Sequence, residues 1–546
     1  MDPSAKSTRI PALVAALIGV LAVAAALAAG HLVAGLVGPN ASPFLAVGNT
    51  AIDLTPAPLK DFAVTTFGTY DKIVLLGGMA LTILLAAILA GLLSRRVSWP
   101  GLALAGILGV LGILAVLNRP DLGQVAVLAP IASLIAGLGA FAWLHRLAHA
   151  RQAEAQAGGQ VAASVDPEAN PGGHTEAAGV QHSGDKDDSG SSRRTFLVGA
   201  GGVAVGAGVL GGAGQFLSGR VDIEGSRAAI AGTLKPAVTA LAIPDGASFS
   251  GLGTPKFITA NRDFYRIDTA LTVPRLRAED WNLRIHGMVE NELTFDFGDI
   301  RDRELVEKTI TMTCVSNEVG GPYISTANFI GVPMRELLEE AGVRPGADQL
   351  FSTSTDGWTT GTPVDALMDP DRNAMLAIGM NGEPLPLEHG FPARMVVPGL
   401  YGYVSATKWV VDMELTKYGE KEFYWQERNW AEKAPIKTQS RIDVPRGFAT
   451  VPAGKVTVAG IAWAQTTGVA RVEVRMDSGE WREATLATEV NDQTWRMWKI
   501  DFDLTAGSHR AEVRATDRSG YVQPEQRVAP IPDGATGWHS SLFNVT

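Results

Sequence analysis

Residues 310–321, with the sequence ITMTCVSNEVGG, carry Cys314, the single cysteine of the 546-residue chain. The residues before Cys314 indicate a strand, and the glycines after it indicate a loop. A cysteine at the end of a strand can present its sulfur to a cleft, and a thiolate is a soft ligand that suits a transition metal. The spacing alone leaves two interpretations open, a metal ligand or a buried structural thiol.

Two later stretches gather basic side chains among turn-forming Gly and Pro. Residues 380–394, MNGEPLPLEHGFPAR, contain His389 and Arg394, and residues 396–409, VVPGLYGYVSATKW, contain Lys408. An imidazole, a guanidinium and an ammonium together suit an anionic phosphate, with arginine as a planar fork and lysine as a point charge. The alternative is a solvated basic loop, which the apolar residues on both sides disfavour.

Together, these three stretches resemble the molybdenum-cofactor domain of the sulfite oxidase family. That pattern is a cysteine in a strand and loop, Asn-Gly-x-Pro-Leu, His-Gly-x-Pro-x-Arg, Pro-Gly-x-x-Gly and Lys-Trp, and the likeness covers about residues 257–546. The resemblance implies a molybdenum–molybdopterin enzyme that couples oxygen-atom transfer to a two-electron transfer. It also implies a C-terminal dimerisation domain, and hence a homodimer.

The resemblance also implies roles for individual residues. Cys314 is the thiolate ligand of molybdenum, and Arg266 in the run Phe264-Tyr265-Arg266 lies beside the metal, so these two are the candidate catalytic residues. The phosphate end of the pterin is held by three basic residues, and an aspartate contacts the pterin. The implied cofactor-binding set is Arg266, Cys314, Asp356, His389, Arg394 and Lys408.

Three departures from the family pattern weaken a sulfite substrate. Residues 315–318, VSNE, replace the arginines that follow the cysteine, Glu422 stands where a tyrosine is expected, and Trp538-His539 lacks its preceding arginine. A dianion would lose charge-assisted hydrogen bonds worth about 1.5–3 kcal/mol each. Reduction of S-oxides such as methionine sulfoxide is therefore the alternative activity. A non-catalytic, membrane-tethered binding protein is a third alternative, but the retained cysteine and basic residues argue against it.

The N-terminal part predicts a membrane region. Apolar runs near the ~20 residues of a spanning helix lie at residues 10–37, 73–93, 102–117, 125–144 and 196–217. This pattern predicts a four-helix region over residues 1–150 and a fifth span over residues 193–220. Their cationic flanks fall on one side when the N-terminus is inside, and they are Lys6, Arg9, Arg95, Arg96, Arg146, Arg151, Arg193 and Arg194. The positive-inside rule then predicts a multi-pass protein of the cell membrane whose chain after about Gly219 is extracytoplasmic.

Residues 151–192 contain no aromatic, leucine or isoleucine residue, which predicts a disordered cytoplasmic linker. The run Ser192-Arg193-Arg194-Thr195-Phe196-Leu197 that follows resembles a twin-arginine export signal, which directs folded proteins across a membrane. Ordinary positive-inside charge is the alternative. Export after folding would suit an enzyme whose cofactor is inserted in the cytoplasm.

The remaining chain predicts two extracytoplasmic domains. Residues 245–440 mix helical and strand patterns, with an amphipathic helix over 332–342 and strands over 350–355 and 394–397, as in an α+β domain. Residues 441–546 show short strands of period two, as in an immunoglobulin-like β-sandwich. The fold class is therefore multi-domain: a helical membrane region, an α+β domain and a β-sandwich.

Composition limits the partners. The net charge of −10 argues against nucleic acid, and one cysteine excludes a disulfide framework, a Cys-rich zinc site and an iron–sulfur cluster held by this chain alone. His31 lies at the opposite membrane face from His145 and His149, so these cannot share a haem. We therefore expect a small oxo-anion or S-oxide substrate, a separate electron-transfer partner such as a cytochrome, and the membrane.

Overall fold

The computed structural model describes residues 9–546 except 57, 58, 60, 61, 63–65, 68, 69, 120, 121, 164–187, 220 and 221. The chain forms two compact units, Met1–Arg220 and Val221–Thr546. The first unit is helical. Its helices are α1 (Ala12–Val37), α2 (Pro43–Leu54), α3 (Asp71–Leu93), α4 (Trp99–Leu117), α5 (Leu128–Ala163) and α6 (Asp188–Ser218).

Five of these helices contain apolar segments long enough to cross a membrane: Ala12–Val37, Lys72–Leu93, Trp99–Leu117, Gln124–Ala150 and Arg194–Leu217. The five predicted apolar runs are thus confirmed as helices. The run predicted as 102–117 begins three residues earlier, and its 19 residues extend about 28 Å at 1.5 Å per residue. This is close to the thickness of a bilayer core.

Helix α1 packs against α3, α5 and α6. A Cβ at Gly19 of α1 would lie 1.9 Å from the carbonyl oxygen of Ala87, and a Cβ at Gly91 of α3 would lie 1.9 Å from that of Ala15. The backbones of α1 and α3 therefore touch at two reciprocal points that only glycine permits. Such contacts are typical of helices that associate within lipid, where close van der Waals packing drives association.

The prediction of a disordered linker over residues 151–192 is wrong at both ends. Helix α5 continues to Ala163, and α6 begins at Asp188. Residues 151–163, RQAEAQAGGQVAA, are rich in Ala and Gln, whose high helix propensity continues a helix without a face of large apolar residues. Residues 164–187 of the predicted linker lie outside the described residues.

Among the described residues of the second unit, the α-helices are α7 (Ile223–Ala231), α8 (Phe297–Arg301), α9 (Met334–Ala341) and α10 (Val364–Met368). The strands of its α+β domain are β1 (Asn282–Gly287), β2 (Leu293–Asp296), β3 (Val306–Thr313), β4 (Ile324–Pro333), β5 (Gln349–Ser354), β6 (Thr359–Pro363), β7 (Met375–Met380), β8 (Glu383–Pro384), β9 (Arg394–Val396) and β10 (Val410–Thr416). They form two sheets, of order β2-β1-β10-β5-β6 and β3-β4-β7-β8, with β9 paired to β7.

The C-terminal strands are β11 (Gln439–Val444), β12 (Thr450–Val451), β13 (Gly454–Trp463), β14 (Val469–Met476), β15 (Arg482–Glu483), β16 (Thr485–Leu486), β17 (Arg496–Leu504), β18 (Gly507–Asp517) and β19 (His539–Val545). They form two sheets, of order β11-β13-β17-β16 and β12-β19-β18-β14-β15. One core of buried side chains, including Val472, Trp498 and Phe543, lies among strands of both sheets. This arrangement agrees with the predicted sandwich.

Several local predictions in the α+β domain are confirmed. Met334, Leu337, Leu338 and Ala341 of α9 are fully buried, and Gly342 ends the helix with a left-handed φ of +69°. The predicted strands correspond to β5 and β9. The unit begins earlier than the predicted residue 245, because Ile223 and Ile230 of α7 and the following Leu234 are buried in its core. The apolar residues of this segment form only a short pattern, so the sequence did not predict that they join the core.

A further core joins the α+β domain to the sandwich. Tyr401 and Phe423 of the first domain are buried with Trp463 and Trp495 of the second. The two predicted domains therefore share one packed interior, and side chains of the sandwich can reach the loop that follows Cys314.

Candidate active site

Cys314 directly follows β3, at the point where the chain leaves the sheet. Its N–H donates to the carbonyl of Tyr323 at 3.0 Å, and its own carbonyl accepts the N–H of Asn317 at 3.0 Å. The loop is closed by a third bond of 2.8 Å, from the N–H of Tyr323 to Oδ1 of Asn317. These bonds fix the backbone on both sides of the cysteine, whose side chain is buried.

Two buried polar atoms flank Cys314 without a hydrogen-bond partner among the described residues. They are Oγ1 of Thr313 and Nδ2 of Asn317. A buried polar group left unpaired costs about 1–3 kcal/mol. A bound group with acceptor atoms beside Cys314 would satisfy both. Such atoms are expected of a site that is completed by a ligand.

The residues around Cys314 do not form a metal cage by themselves. Within the described ranges, no group of three or more His, Cys, Asp or Glu side chains is arranged to hold a metal ion. A metal bound to Cys314 would therefore take its other ligands from outside the chain, as a metal carried by an organic cofactor does. The side chains present therefore fit a metal that is held by one thiolate and by such a cofactor.

The structure brings His389, Arg394 and Lys408 together, as predicted. Arg394 and Lys408 form an antiparallel bridge, and Nη1 of Arg394 donates to the carbonyl of His389 at 3.1 Å. Gly390 makes this possible, since a Cβ there would lie 3.0 Å from Cβ of Arg394 and 3.1 Å from Cβ of Lys408. Position 390 is thus a glycine because Arg394 and Lys408 pack too closely against it for a side chain.

The Asn-Gly pair of the same stretch positions His389 through a second residue. Nδ2 of Asn381 donates to Oδ1 of Asn261 at 2.7 Å and to the carbonyl of Thr259 at 3.0 Å. The carbonyl of Asn261 in turn lies 3.0 Å from Nε2 of His389. The imidazole and the ring of Phe264 form a T-shaped pair, with 5.4 Å between ring centroids and 74° between their planes. Asn381 therefore links two chain segments that hold the histidine.

Arg266 joins these residues through an aspartate that sequence reasoning missed. Oδ2 of Asp268 lies 2.9 Å from Nε of Arg266 and 2.9 Å from Nζ of Lys408. The ammonium of Lys408 also donates to the carbonyl of Glu388 at 3.0 Å. We call Arg266, His389, Arg394 and Lys408 the basic cluster. In the sequence, this pairing is indicated only by the position of Asp268, two residues after Arg266.

Asp356 lies in the turn between β5 and β6. Its Oδ1 accepts the N–H of Trp358 at 3.2 Å, and the neighbouring Thr355 donates its N–H to the carbonyl of Trp409 at 2.9 Å. The turn that carries Asp356 is therefore attached next to Lys408. The backbone hydrogen bond between Thr355 and Trp409 thus places Asp356, as a neighbour of Thr355, beside the basic cluster.

Burial dominates the electrostatics of the basic cluster. It lowers the pKa of His389 to about 4, with Arg394 as the next cause, and it lowers the pKa of Arg394 to about 10. The pKa of Lys408 falls to about 8, because burial outweighs the opposing effect of Asp268. At pH 7 the imidazole is therefore neutral, whereas the guanidinium and the ammonium carry charge.

The same interactions reach the cysteine. Burial raises the pKa of the Cys314 thiol, while hydrogen bonds from Ser316 and the charge of Lys408 act to lower it. Burial also raises the pKa of Tyr265, and Cys314 raises it further while Arg394 opposes. Cys314, Tyr265 and the basic cluster thus share one buried region. A bound metal ion would supply the positive charge that turns this thiol into a thiolate.

The sandwich reaches the loop after Cys314. The ring of His539 lies where a Cβ of Gly320 would stand, at 2.2 Å from Cδ2 and 2.3 Å from Nε2. Its Nδ1 accepts the N–H of Ile442 at 3.0 Å, and Nη1 of Arg441 donates to the carbonyl of Gly321 at 2.8 Å. Sequence reasoning noted the Trp538-His539 pair but not this contact. Glu422, which stands at the expected tyrosine position, is exposed.

The depressed pKa of His389 predicts a loss of stability in acid. Its folded pKa is about 4, below the ordinary 6.5, so the unfolded state binds more protons between these values. The free energy of unfolding should therefore fall as the pH drops from 6.5 towards 4, with a limit of about 1.4 kcal/mol per pH unit for one group. In cofactor-free protein, His389→Gln should flatten this fall, measured by denaturant unfolding at several pH values.

His509 provides a control of opposite sign. A hydrogen bond from its ring N–H to the carboxylate of Asp477 raises the pKa of this histidine, so the stability it contributes is present in acid and is lost as the pH rises. His509→Gln should therefore steepen the acid loss. Equal slopes in the His389→Gln variant and the unmodified protein would contradict the assignment of a buried, neutral His389.

Comparison with known proteins agrees with this geometry. A family model described as "Oxidoreductase molybdopterin binding domain" matches residues 270–425, and one described as "Mo-co oxidoreductase dimerisation domain" matches residues 432–541. The fold and site thus define an oxidoreductase whose cofactor is molybdenum–molybdopterin. The chain belongs to the sulfite oxidase family of these enzymes.

Individual relatives share about half of the chain. Human mitochondrial sulfite oxidase is 31% identical over 331 residues, which cover 51% of this chain and 59% of that protein. Chicken sulfite oxidase is 29% identical over 336 residues, covering 52% of this chain and 72% of its own. The chain therefore matches about three fifths of the length of the human relative.

Two further matches come from bacteria. The uncharacterized oxidoreductase YuiH of Bacillus subtilis is 34% identical over 149 residues, covering 27% of this chain and 71% of that protein. Among solved structures, the sulfane dehydrogenase SoxCD of Paracoccus pantotrophus matches with a TM-score of 0.47 and 24% identity, covering 56% of this chain and 88% of that one.

Proposed function

We propose that the chain is a membrane-anchored, extracytoplasmic oxidoreductase in which Cys314 binds molybdenum and His389, Arg394 and Lys408 hold the phosphate end of the pterin. When bound, the cofactor supplies oxygen-atom exchange with the substrate and a two-electron change at the metal. The observation that carries this proposal is the buried region that Cys314 shares with Arg394 and Lys408, flanked by buried polar atoms that have no hydrogen-bond partner in the described part of the chain.

The residues of this region have distinct tasks in the proposal. Lys408 and Arg394 offer charged N–H groups to the phosphate, Arg266 lies beside the metal, and Asp356 contacts the pterin from the adjoining turn. His389 acts differently. Its Nε2 donates to the carbonyl of Asn261, and a neutral imidazole then has Nδ1 as an acceptor. His389 therefore presents Nδ1 to this end of the cofactor as an acceptor rather than as a second donor.

Substrate charge separates the two candidate reactions. The loop after Cys314 presents Val315, Ser316, Asn317 and Glu318, and the last of these is an exposed carboxylate. Among these residues there is no cation to neutralise a dianion. This favours reduction of a neutral S-oxide, as in a methionine-sulfoxide reductase, over oxidation of sulfite. Sulfite oxidation remains the first alternative because it is the activity named for the human and chicken relatives.

The five apolar helices support the proposed anchoring and the external position of the second unit. Their cationic flanks alternate as expected for a cytoplasmic N-terminus. Electrons would then move between the cofactor and a separate partner on the same side, such as a cytochrome. The dimerisation-type domain supports a homodimer.

A substrate screen tests the proposal. Full-length protein of verified molybdenum content should be assayed for sulfite oxidation with an artificial electron acceptor and for methionine sulfoxide reduction with an artificial donor. We expect the higher kcat/KM with the S-oxide. Higher kcat/KM with sulfite would favour the alternative reaction. Protein that contains the cofactor and turns over neither class would contradict both reactions and leave a binding role.

A further inference from the structure

The strand that leads to Cys314 is completed by the sandwich. β3 stands at the end of its sheet and pairs with β4 on one edge. On the other edge, the N–H of Thr311 donates to the carbonyl of Gln493, and the carbonyl of Thr311 accepts Nε2 of Gln465, each at 3.0 Å. Oγ1 of Thr311 also accepts the N–H of Trp495 at 2.8 Å. The edge of a sheet presents backbone groups that need partners, and the sandwich supplies them shortly before Cys314.

The loop that follows Cys314 is held at its far end by the same domain. Gly320 has a left-handed φ of +83°, which favours glycine, and the ring of His539 lies where a Cβ of this residue would stand. The carbonyl of the next residue, Gly321, accepts Nη1 of Arg441 at 2.8 Å. The sandwich therefore contacts the chain both before and after Cys314.

Arg441 is held by a carboxylate of its own strand. Its Nε lies 2.8 Å from Oδ1 of Asp443, and the two side chains are 10% and 14% exposed. This ion pair gives the guanidinium a fixed direction, and a hydrogen bond from a charged donor is stronger than a neutral one. Withdrawal of Gly321 would leave an N–H of this largely buried side chain without its partner, which is costly. The bond therefore resists opening of the loop.

His539 is fixed on the side away from the loop. Its Nδ1 accepts the N–H of Ile442 at 3.0 Å, which connects β19 of one sheet of the sandwich to β11 of the other. Burial, followed by the charges of Arg527 and Arg441, lowers the pKa of His539 to about 4. The imidazole is therefore neutral at pH 7, with its proton on Nε2, near Gly320. The ring cannot turn away from the loop without losing its bond to Ile442.

We propose that Arg441 and His539 are positioning residues of the metal site: they hold the far end of the loop that follows Cys314, so that the packing of the sandwich sets where the thiolate lies. This inference rests on the proposed function, in which Cys314 binds the metal. The sandwich then belongs to the metal site in addition to its dimerisation-type role. Loss of a group that orients a metal ligand typically costs about 10–100-fold in metal affinity or activity.

Native-state hydrogen exchange measures the hold on the loop. The full chain is purified in detergent, loaded with its cofactor and, in parallel, free of it. Peptides that cover residues 313–324 contain the amides of Cys314, Asn317 and Tyr323, whose hydrogen bonds close the loop. Arg441→Met should accelerate their exchange by at least about tenfold, because the closed loop loses a hydrogen bond from a charged donor. Arg441→Lys keeps a charged donor and should restore most of the slow exchange.

His539→Asn tests the second contact separately. Asparagine keeps an acceptor for the N–H of Ile442, so the bond between the two sheets can survive, but the ring edge beside Gly320 is lost. Exchange of the loop amides should accelerate by about threefold, since only van der Waals attraction is removed. His509→Asn, which changes a histidine that bonds to Asp477 in the same sandwich, is the matched control and should leave loop exchange unchanged.

A second control separates the loop from the sandwich as a whole. Glu512→Gln removes a carboxylate that pairs with Arg475 in the sandwich, and loop exchange should not change. A peptide covering β14 should exchange at the same rate in every variant. Unchanged loop exchange in both Arg441→Met and His539→Asn would overturn the inference. Equal acceleration of the loop and of β14 would also overturn it, because the sandwich would then simply be less stable.

Molybdenum retention connects the loop to the metal. During dialysis of loaded protein, Arg441→Met should lose molybdenum about tenfold faster than the unmodified protein, and Arg441→Lys should lose it more slowly than Arg441→Met. Faster loop exchange with unchanged loss of molybdenum would overturn the role at the metal. Absence of molybdenum from the unmodified protein would instead overturn the proposed function, while exchange in the cofactor-free chain would still report whether the sandwich holds the loop.

Discussion

Cys314→Ser is expected to lower turnover to below about one per cent of the unmodified enzyme, since loss of groups that merely support a metal ligand already costs about 10–100-fold. A serine hydroxyl is a harder donor and remains protonated where a metal-bound thiol does not. The change removes the one side chain that the structure offers as a soft ligand in the buried region of the basic cluster.

The fold should survive this substitution. The hydrogen bonds that hold the loop use the backbone of residue 314, through Tyr323 and Asn317, and serine keeps both. Thermal unfolding should therefore change by only a few degrees while activity is lost. Activity is measured under saturating substrate, and metal content is measured in the same sample. Full turnover by the serine variant would show that Cys314 is a structural thiol.

The second large effect is expected from Arg193→Lys combined with Arg194→Lys. Lysine preserves the positive charge before the fifth apolar helix, so a purely electrostatic topology signal would survive. A receptor that recognises an arginine pair would not accept lysine, because it reads the pair as an address. The second unit should then stay in the cytoplasm, while the first four apolar helices insert as before.

Protease accessibility measures this outcome. Protease added outside intact spheroplasts should digest the second unit of the unmodified protein and leave that of the double-lysine variant intact. The matched control is Arg95→Lys combined with Arg96→Lys. This arginine pair follows α3 and is not part of a sequence that resembles an export signal. The second unit of the control variant should therefore be digested. Equal digestion of all three proteins would reduce Arg193 and Arg194 to topology charges and remove the twin-arginine proposal.

Local sequence patterns predicted those parts of the molecule that local physics determines. Helix α9 followed from its apolar spacing and from Gly342, and β3 followed from the run that ends at Cys314. His389, Arg394 and Lys408 lie within 20 residues of one another and meet across a single bridge. For these elements, the neighbouring residues in the sequence are also the neighbours in space.

Contacts between distant segments escaped prediction for a physical reason. Asp268 reaches Lys408 across 140 residues, and His539 reaches Gly320 from the sandwich. Neither pairing leaves a periodic pattern, because the first depends on how distant segments of one domain meet and the second on how two domains pack. The ends of the predicted linker failed differently. Composition indicated too little apolar surface for a core, whereas helix propensity extended α5 to Ala163 without one.

Molybdenum content tests the central claim most directly. Full-length protein purified from cells that make the pterin should contain about one molybdenum per chain by mass spectrometry of the metal, as expected for one cofactor per site. Arg394→Ala combined with Lys408→Ala should lose most of it, because the phosphate loses two of its cations. Glu512→Gln should retain it. Molybdenum at background level in the unmodified protein, or equal molybdenum in the double-alanine variant, would contradict the account.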